Sequence, residues 1–293
     1  MTRKLALVFA TALAGSCGGN AGPNIPSDPV LERQTSAGRA ALALEQPEQA
    51  AKQYRDALIR ARARDDATAI GDLGFNLAVA ELSARQPDAA LRTAREVSAE
   101  LRRRSVPPPD SLELAEAIAL YRIGRAAEAD SAAARIETKA EPETAARAAF
   151  LRGLIADADG NTATLQQAHA KVAAATGGEA LADESELAAR LALRSGDPRL
   201  ARATAEQAVA MRRDLLDYRG VSRCLALAAL AAEQAGDVPS AADLYLRAGR
   251  GAADQKEQTL ARKWLSRAII LGQDPALLAS ARSALASTGE RHQ

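Results

Sequence analysis

The chain has 293 residues, 47% hydrophobic but only 3% aromatic, with 38 basic against 37 acidic side chains. That length holds two ordinary domains or one extended array, and a net charge of +1 excludes a broadly basic nucleic-acid surface. Alanine-rich helices bury little area each, so they need many neighbours, as in a stacked array.

The first residues read as a targeting segment and stay out of the fold. Arg3 and Lys4 precede an apolar run, Leu5 to Leu13, too short to span a bilayer. Leu13-Ala14-Gly15-Ser16-Cys17-Gly18 follows. It resembles a bacterial lipobox, although Ala14 stands where leucine is usual. The resemblance implies removal of residues 1–16 and palmitate-bearing acylation of Cys17. With Gly18 after the cysteine, it also implies the periplasmic face of the outer membrane. The alternative is cleavage after Ala12-Leu13-Ala14, leaving a soluble periplasmic protein. Loss of Arg3 and Lys4 takes the net charge from +1 to −1. Residues 17–29 are rich in glycine, asparagine and proline and predict a flexible tether. Residues 30–293 form the folded domain.

From there the chain alternates helical patterns with short turns. The turns end at Ala50, Ala90, Ala129, Leu165, Ala201 and Ala241, and Ser195-Gly196-Asp197-Pro198 is the clearest of them. Twelve residues before each end stand Gly38, Ala78, Ala117, Gly153, Ala189 and Ala229, all small enough for close helix packing. The helix pairs are expected near 28–44 with 47–64, 67–84 with 87–104, and 111–123 with 126–139. They continue near 142–158 with 162–175, 180–195 with 198–214, and 217–235 with 239–253. A last pair near 257–271 and 275–287 carries Leu265 in the small-residue position and reads as a cap. Pro47 and Pro87 suit a first helical turn. Val106-Pro107-Pro108-Pro109 stops a helix, and Asp110 or Ser111 is expected to cap the next.

These small residues, the turn glycines Gly124, Gly160, Gly196 and Gly236, and Tyr54 and Tyr245 in the second helices resemble the tetratricopeptide repeat family. Glu45 and Arg85 depart from its glycine position, and the spacing exceeds the family's ~34 residues. The resemblance implies an all-α superhelical array, about six repeats plus a C-terminal pair. It also implies a concave groove lined by the first helix of each pair. Carried over in register, Phe75, Val79, Leu114, Ile118, Tyr121, Phe150 and Leu154 face that groove. They either form an apolar partner site or fill the packing between repeats. Glu186 and Arg190 fall in the same register further on.

Catalytic chemistry is scarce. His169 and His292 are the only histidines, and no serine lies in a G-x-S-x-G turn. No His/Cys spacing suits a metal. Cys224, in an apolar run, reads as a core residue. The expectation is a protein without enzymatic activity, cofactor, metal or nucleic-acid partner. It would hold a peptide or amphipathic helix, with a lipid anchor on the membrane, as a scaffold for an envelope complex. The alternative function is binding of a glycan or small ligand by a soluble helical array.

Overall fold

The computed structural model describes residues 26–288. They form fourteen α-helices, with no strand among the described residues. In the first half these are α1 (Pro29–Ala43), α2 (Pro47–Ala63), α3 (Ala67–Ser83), α4 (Pro87–Arg103), α5 (Asp110–Arg122), α6 (Ala126–Lys139) and α7 (Pro142–Ala158). The second half holds α8 (Thr162–Ala173), α9 (Gly178–Arg194), α10 (Pro198–Asp214), α11 (Tyr218–Gln234), α12 (Val238–Asp254), α13 (Gln258–Leu271) and α14 (Pro275–Ser287). Each odd helix and the even helix after it make one repeat. The helices match the expected pairs to within about two residues, because proline, aspartate and glycine mark most of their ends.

The joints show why. Asp66, Asn161, Asp197, Asp217 and Asp237 each accept a backbone N–H from the first turn of the following helix. Asp110 does not cap α5 as expected. Pro109 takes the cap position, and Asp110 is the first helical residue, paired with Lys139 at 2.9 Å. Within repeats, Gly124, Gly160, Gly196 and Gly236 sit at φ between 75° and 84°. Glu45 and Arg85 hold the same left-handed conformation, at φ 55° and 61°. The turn geometry is thus kept where the glycine is not, at a cost of about 1–2 kcal/mol per residue.

The small residues are all buried. A Cβ on Gly38 would sit 2.8 Å from the Tyr54 ring, and one on Gly153 would sit 2.8 Å from Leu187. Gly74 obeys the same constraint against Val97, at 2.6 Å, although no repeat register singled it out.

Curvature follows from which helices touch. Each helix packs on its chain neighbours. Beyond that, α3 packs on α5, α5 on α7, α7 on α9 and α9 on α11, whereas among the even helices the comparable contact is that of α12 with α14. In a curved stack the inner elements approach one another and the outer ones splay. The odd helices therefore form the inner layer. Burial agrees: α7 and α11 each bury ten residues, while the outer α10 buries five. Cys224 lies fully inside α11's packing as a free thiol, and burial pushes its ionisation up. The array curls far enough for the Arg85 guanidinium to reach the Asp254 carbonyl at 3.4 Å, 169 positions along the chain.

Cys17 and the rest of the expected signal lie outside the described residues. The end of the expected tether does not behave as a tether. Asp28 caps α1 and is 6% exposed, held by Arg60 at 2.5 Å and Arg64 at 3.1 Å. Among the described residues no helix is long and apolar enough to cross a membrane.

Candidate binding channel

The inner layer encloses a channel with two adjoining hollows. The larger, about 450 Å³, lies where the ends of α3 and α5 face the starts of α11 and α13. Arg85, Arg122, Arg219, Lys256, Tyr121 and Trp264 are on its walls. The smaller, about 200 Å³, continues along α5 and α7 toward α10 and α11. Tyr121, Arg122, Arg219 and Arg223 belong to both. A third hollow, about 680 Å³, lies apart on the outer side of α6 and the α7–α8 joint.

The expected groove residues divide. Ile118, Tyr121, Phe150 and Leu154 line the smaller hollow. Phe75, Val79 and Leu114 are half-buried and line neither hollow; Phe75 bridges two apolar clusters. Phe150 and Leu154 are 8% and 7% exposed and belong to the core. Two of the seven, Phe150 and Leu154, are thus closed off, while the other five stay half-buried. Phe150 is covered by charge: the Arg212 and Arg223 guanidiniums stand 5.1 Å and 6.0 Å from the centre of its ring. Cation–π contact of this kind holds a ring and a cation together in a desolvated place.

Beneath the arginines lies Glu186, fully buried. Its carboxylate accepts hydrogen bonds from Arg190 at 3.0 Å, Arg212 at 2.8 Å, and Arg223 at 3.0 Å and 3.1 Å. Burial alone would raise its pKa, but the charges of Arg223, Arg190 and Arg212 outweigh burial and hold it well below the usual range. Asp183, 1% exposed, pairs with Arg212 at 2.6 Å and Arg147 at 3.1 Å. Burial nevertheless pushes its carboxyl up. Asp157 ties Arg190 at 2.6 Å and Arg194 at 3.0 Å. The two acids under the channel wall are thus fully engaged by it. Glu186 was expected on the groove surface; it is the buried centre that orients the arginines instead.

The larger hollow is balanced differently. Arg219 pairs with Glu257 at 3.1 Å. Arg122 donates to the Leu82 carbonyl at 2.8 Å and, like Arg85 and Lys256, forms no ion pair among the described residues. Sequence reasoning missed these residues because each sits at a helix end or joint, where a basic side chain usually faces water. Trp264, on α13 of the last helix pair, also lines the hollow while only 8% exposed. Among the described residues no group of three His, Cys, Asp or Glu side chains is placed to hold a metal ion.

No family model matches the chain, and neither does any curated protein. Solved structures share its fold. A Rap protein complexed with Competence and Sporulation Factor overlaps with a TM-score of 0.63 at 12% identity, over 89% of this chain and 75% of that one. A tetratricopeptide repeat protein from Parabacteroides merdae gives 0.50 at 16%, over 90% of this chain and 100% of that one. A signal-transduction ATPase with a tetratricopeptide repeat sensor, from Pyrococcus horikoshii, gives 0.51 at 14%, over 88% of this chain and 42% of that one. The fold is that of a tetratricopeptide-repeat solenoid.

Proposed function

We propose that this solenoid is a non-catalytic scaffold that holds a segment of a partner polypeptide in its inner channel, displayed from the bacterial envelope on a lipid attached at Cys17. The channel carries the reading: half-buried Ile118 and Tyr121 stand on one wall and arginines on the other. An elongated ligand with apolar and polar groups in alternation fits such walls, as in recognition modes that combine side-chain pockets with polar anchoring. The Rap protein's complex is a precedent for ligand capture by a solenoid of this overlap. A glycan needs an exposed aromatic platform beside carboxylates. Trp264 is nearly covered, and its charged neighbours are mostly basic.

The anchor reading rests on the lipobox-like Ala14-Gly15-Ser16-Cys17. Acylation would contribute about 0.8 kcal/mol per buried methylene. An outer-membrane position facing the periplasm follows from Gly18, and assistance in assembling an envelope complex would be the work of a tethered scaffold. The test places a photo-crosslinking side chain at Gln255, on the wall of the larger hollow, in cells. The expected product is a discrete polypeptide adduct from the membrane fraction. A Cys17→Ser chain should give its adduct from the soluble fraction. No polypeptide adduct from the channel would refute the scaffold; unchanged membrane fractionation of Cys17→Ser would refute the anchor.

A further inference from the structure

We infer that the larger hollow is a carboxylate site: Arg122, with Arg85, Arg219 and Lys256 around it, takes an acidic side chain of the polypeptide segment held in the channel, an assignment that rests on the scaffold reading above. The first argument is charge. The two hollows are lined by seven basic and three acidic side chains. The buried acids Glu186 and Asp183 and the lining acids Asp217 and Glu179 are paired with Arg147, Arg212 and Arg223. Glu257 is taken by Arg219. The uncompensated charge therefore falls on Arg85, Arg122 and Lys256, which face one hollow from three different elements.

The second argument is preorganisation. Arg122 is held by its hydrogen bond to the Leu82 carbonyl, and its remaining guanidinium donors meet no acceptor among the described residues. Its head is open to the channel but surrounded by helices. Desolvation by the surrounding helices, with Arg219 and Arg223 nearby, lowers its pKa to about 10 against the pull of Glu257 and Asp217. Arg219 is lowered too, by desolvation and by Arg85 and Arg223, against the pull of Glu257. A guanidinium in this position offers a planar fork that suits a carboxylate in two parallel hydrogen bonds. Like charges gathered in one cavity repel, and an anion seated among them removes that cost. The third argument is shape. Trp264, Leu260 and Tyr121 border the same hollow, so the methylene stem of a glutamate would lie on apolar surface while its head meets the arginines.

The chain's single tryptophan is Trp264, so its fluorescence reports the site directly. The probe is an eight-residue glutamate peptide titrated into the full mature chain, with an eight-residue lysine peptide and inorganic phosphate as comparisons. The glutamate peptide should saturate a change in Trp264 emission, weakened by added salt. The lysine peptide should give none. Phosphate should act only at much higher concentration, since it lacks the stem. Arg122→Gln should weaken glutamate binding by about tenfold or more, equivalent to one lost charge-assisted pair. Arg103→Gln, an exposed arginine on the outer helix α4, should change nothing. Native circular dichroism of both variants guards against unfolding, and Lys256→Gln, at an exposed joint, gives a second variant with the same expected loss. No emission change, equal weakening by Arg103→Gln, or phosphate binding as tightly as the peptide would overturn the carboxylate site. The two readings fail separately. A Gln255 adduct whose linked segment is neutral or basic leaves the scaffold standing and removes the carboxylate site. Saturable glutamate binding without any polypeptide adduct in cells does the reverse.

Discussion

Single residues set the ends and bends of the array, and Asp28 shows how much one can carry. It accepts from Arg60, from the backbone N–H groups of Val30 and Leu31, and from Arg64. The Arg60 hydrogen bond is the main reason its pKa falls to about 2, with burial opposing. It is shielded by its contacts yet lies at the first helix of the stack, close to water beyond them. An unfolded aspartate titrates near pH ~3.9. The folded value is lower, so the stabilisation from Asp28 is fully present above about pH 4 and is lost as the pH falls toward 2. Asp28→Asn should therefore speed amide exchange in α1 at pH 7. The difference from the unaltered chain should shrink between pH 4 and pH 2, and a difference independent of pH would refute the role given to its charge. The sequence marked Asp28 as a helix start, but not its partners, which lie 32 and 36 positions away. Similarly, nothing local in Glu45 or Arg85 signals a left-handed backbone. The repeat register does, because the glycines at the equivalent joints need it.

At the scale of elements, α9, α10 and α11 are cross-linked by one buried carboxylate. In sequence, Glu186 and Arg190 look like an ordinary i,i+4 pair on a solvated helix face. The reason they are not is distant: Arg212 and Arg223 arrive from the next two helices, and α9 is covered before its polar face can reach water. Periodicity records which side of a helix is polar, not whether that side is wet. The same limit applies to the groove. The register singled out Ile118, Tyr121, Phe150 and Leu154, which line the smaller hollow, but it does not reveal that arginines from α10 and α11 stand over the Phe150 ring. Removing a single partner from a buried ion network leaves uncompensated charge and costs about 3–5 kcal/mol. Glu186→Gln should approach that loss, because Gln keeps the volume and leaves three guanidiniums facing a neutral amide. Glu206→Gln, which breaks an exposed pair with Arg202 on α10, should cost less than about 1 kcal/mol. Urea unfolding with hydrogen exchange resolved on α9–α11 measures both. Similar losses in the two variants would mean that the buried network adds nothing to holding these helices together.

For the whole molecule, closure is the property least visible in the sequence. Each joint adds a small rotation, and the sum decides whether α3 and α5 meet α11 and α13 or point past them. The repeat length and the small residues define the stack; they do not specify that sum. The curl is lightly held, because every extensive helix contact joins helices one or two positions apart along the chain. Across the channel, among the described residues, the specific contact is the long Arg85–Asp254 hydrogen bond, at 3.4 Å. Against it stand Arg85, Arg122, Arg219 and Lys256, crowded from both rims. Their repulsion acts over about 30 Å at 0.01 M salt and about 8 Å at 0.15 M. The empty array should therefore be more open at low ionic strength and contract as salt is added. Small-angle scattering reads this as a falling radius of gyration. The eight-residue glutamate peptide, at low salt, should produce the same contraction by neutralising the rims from within. Arg122→Gln should begin more compact and respond less to either. A radius that does not change with salt would mean the stack's own packing fixes the curl, with the charges following from it. Contraction by salt and by the peptide, both blunted in Arg122→Gln, would tie the shape of the array to what fills its channel.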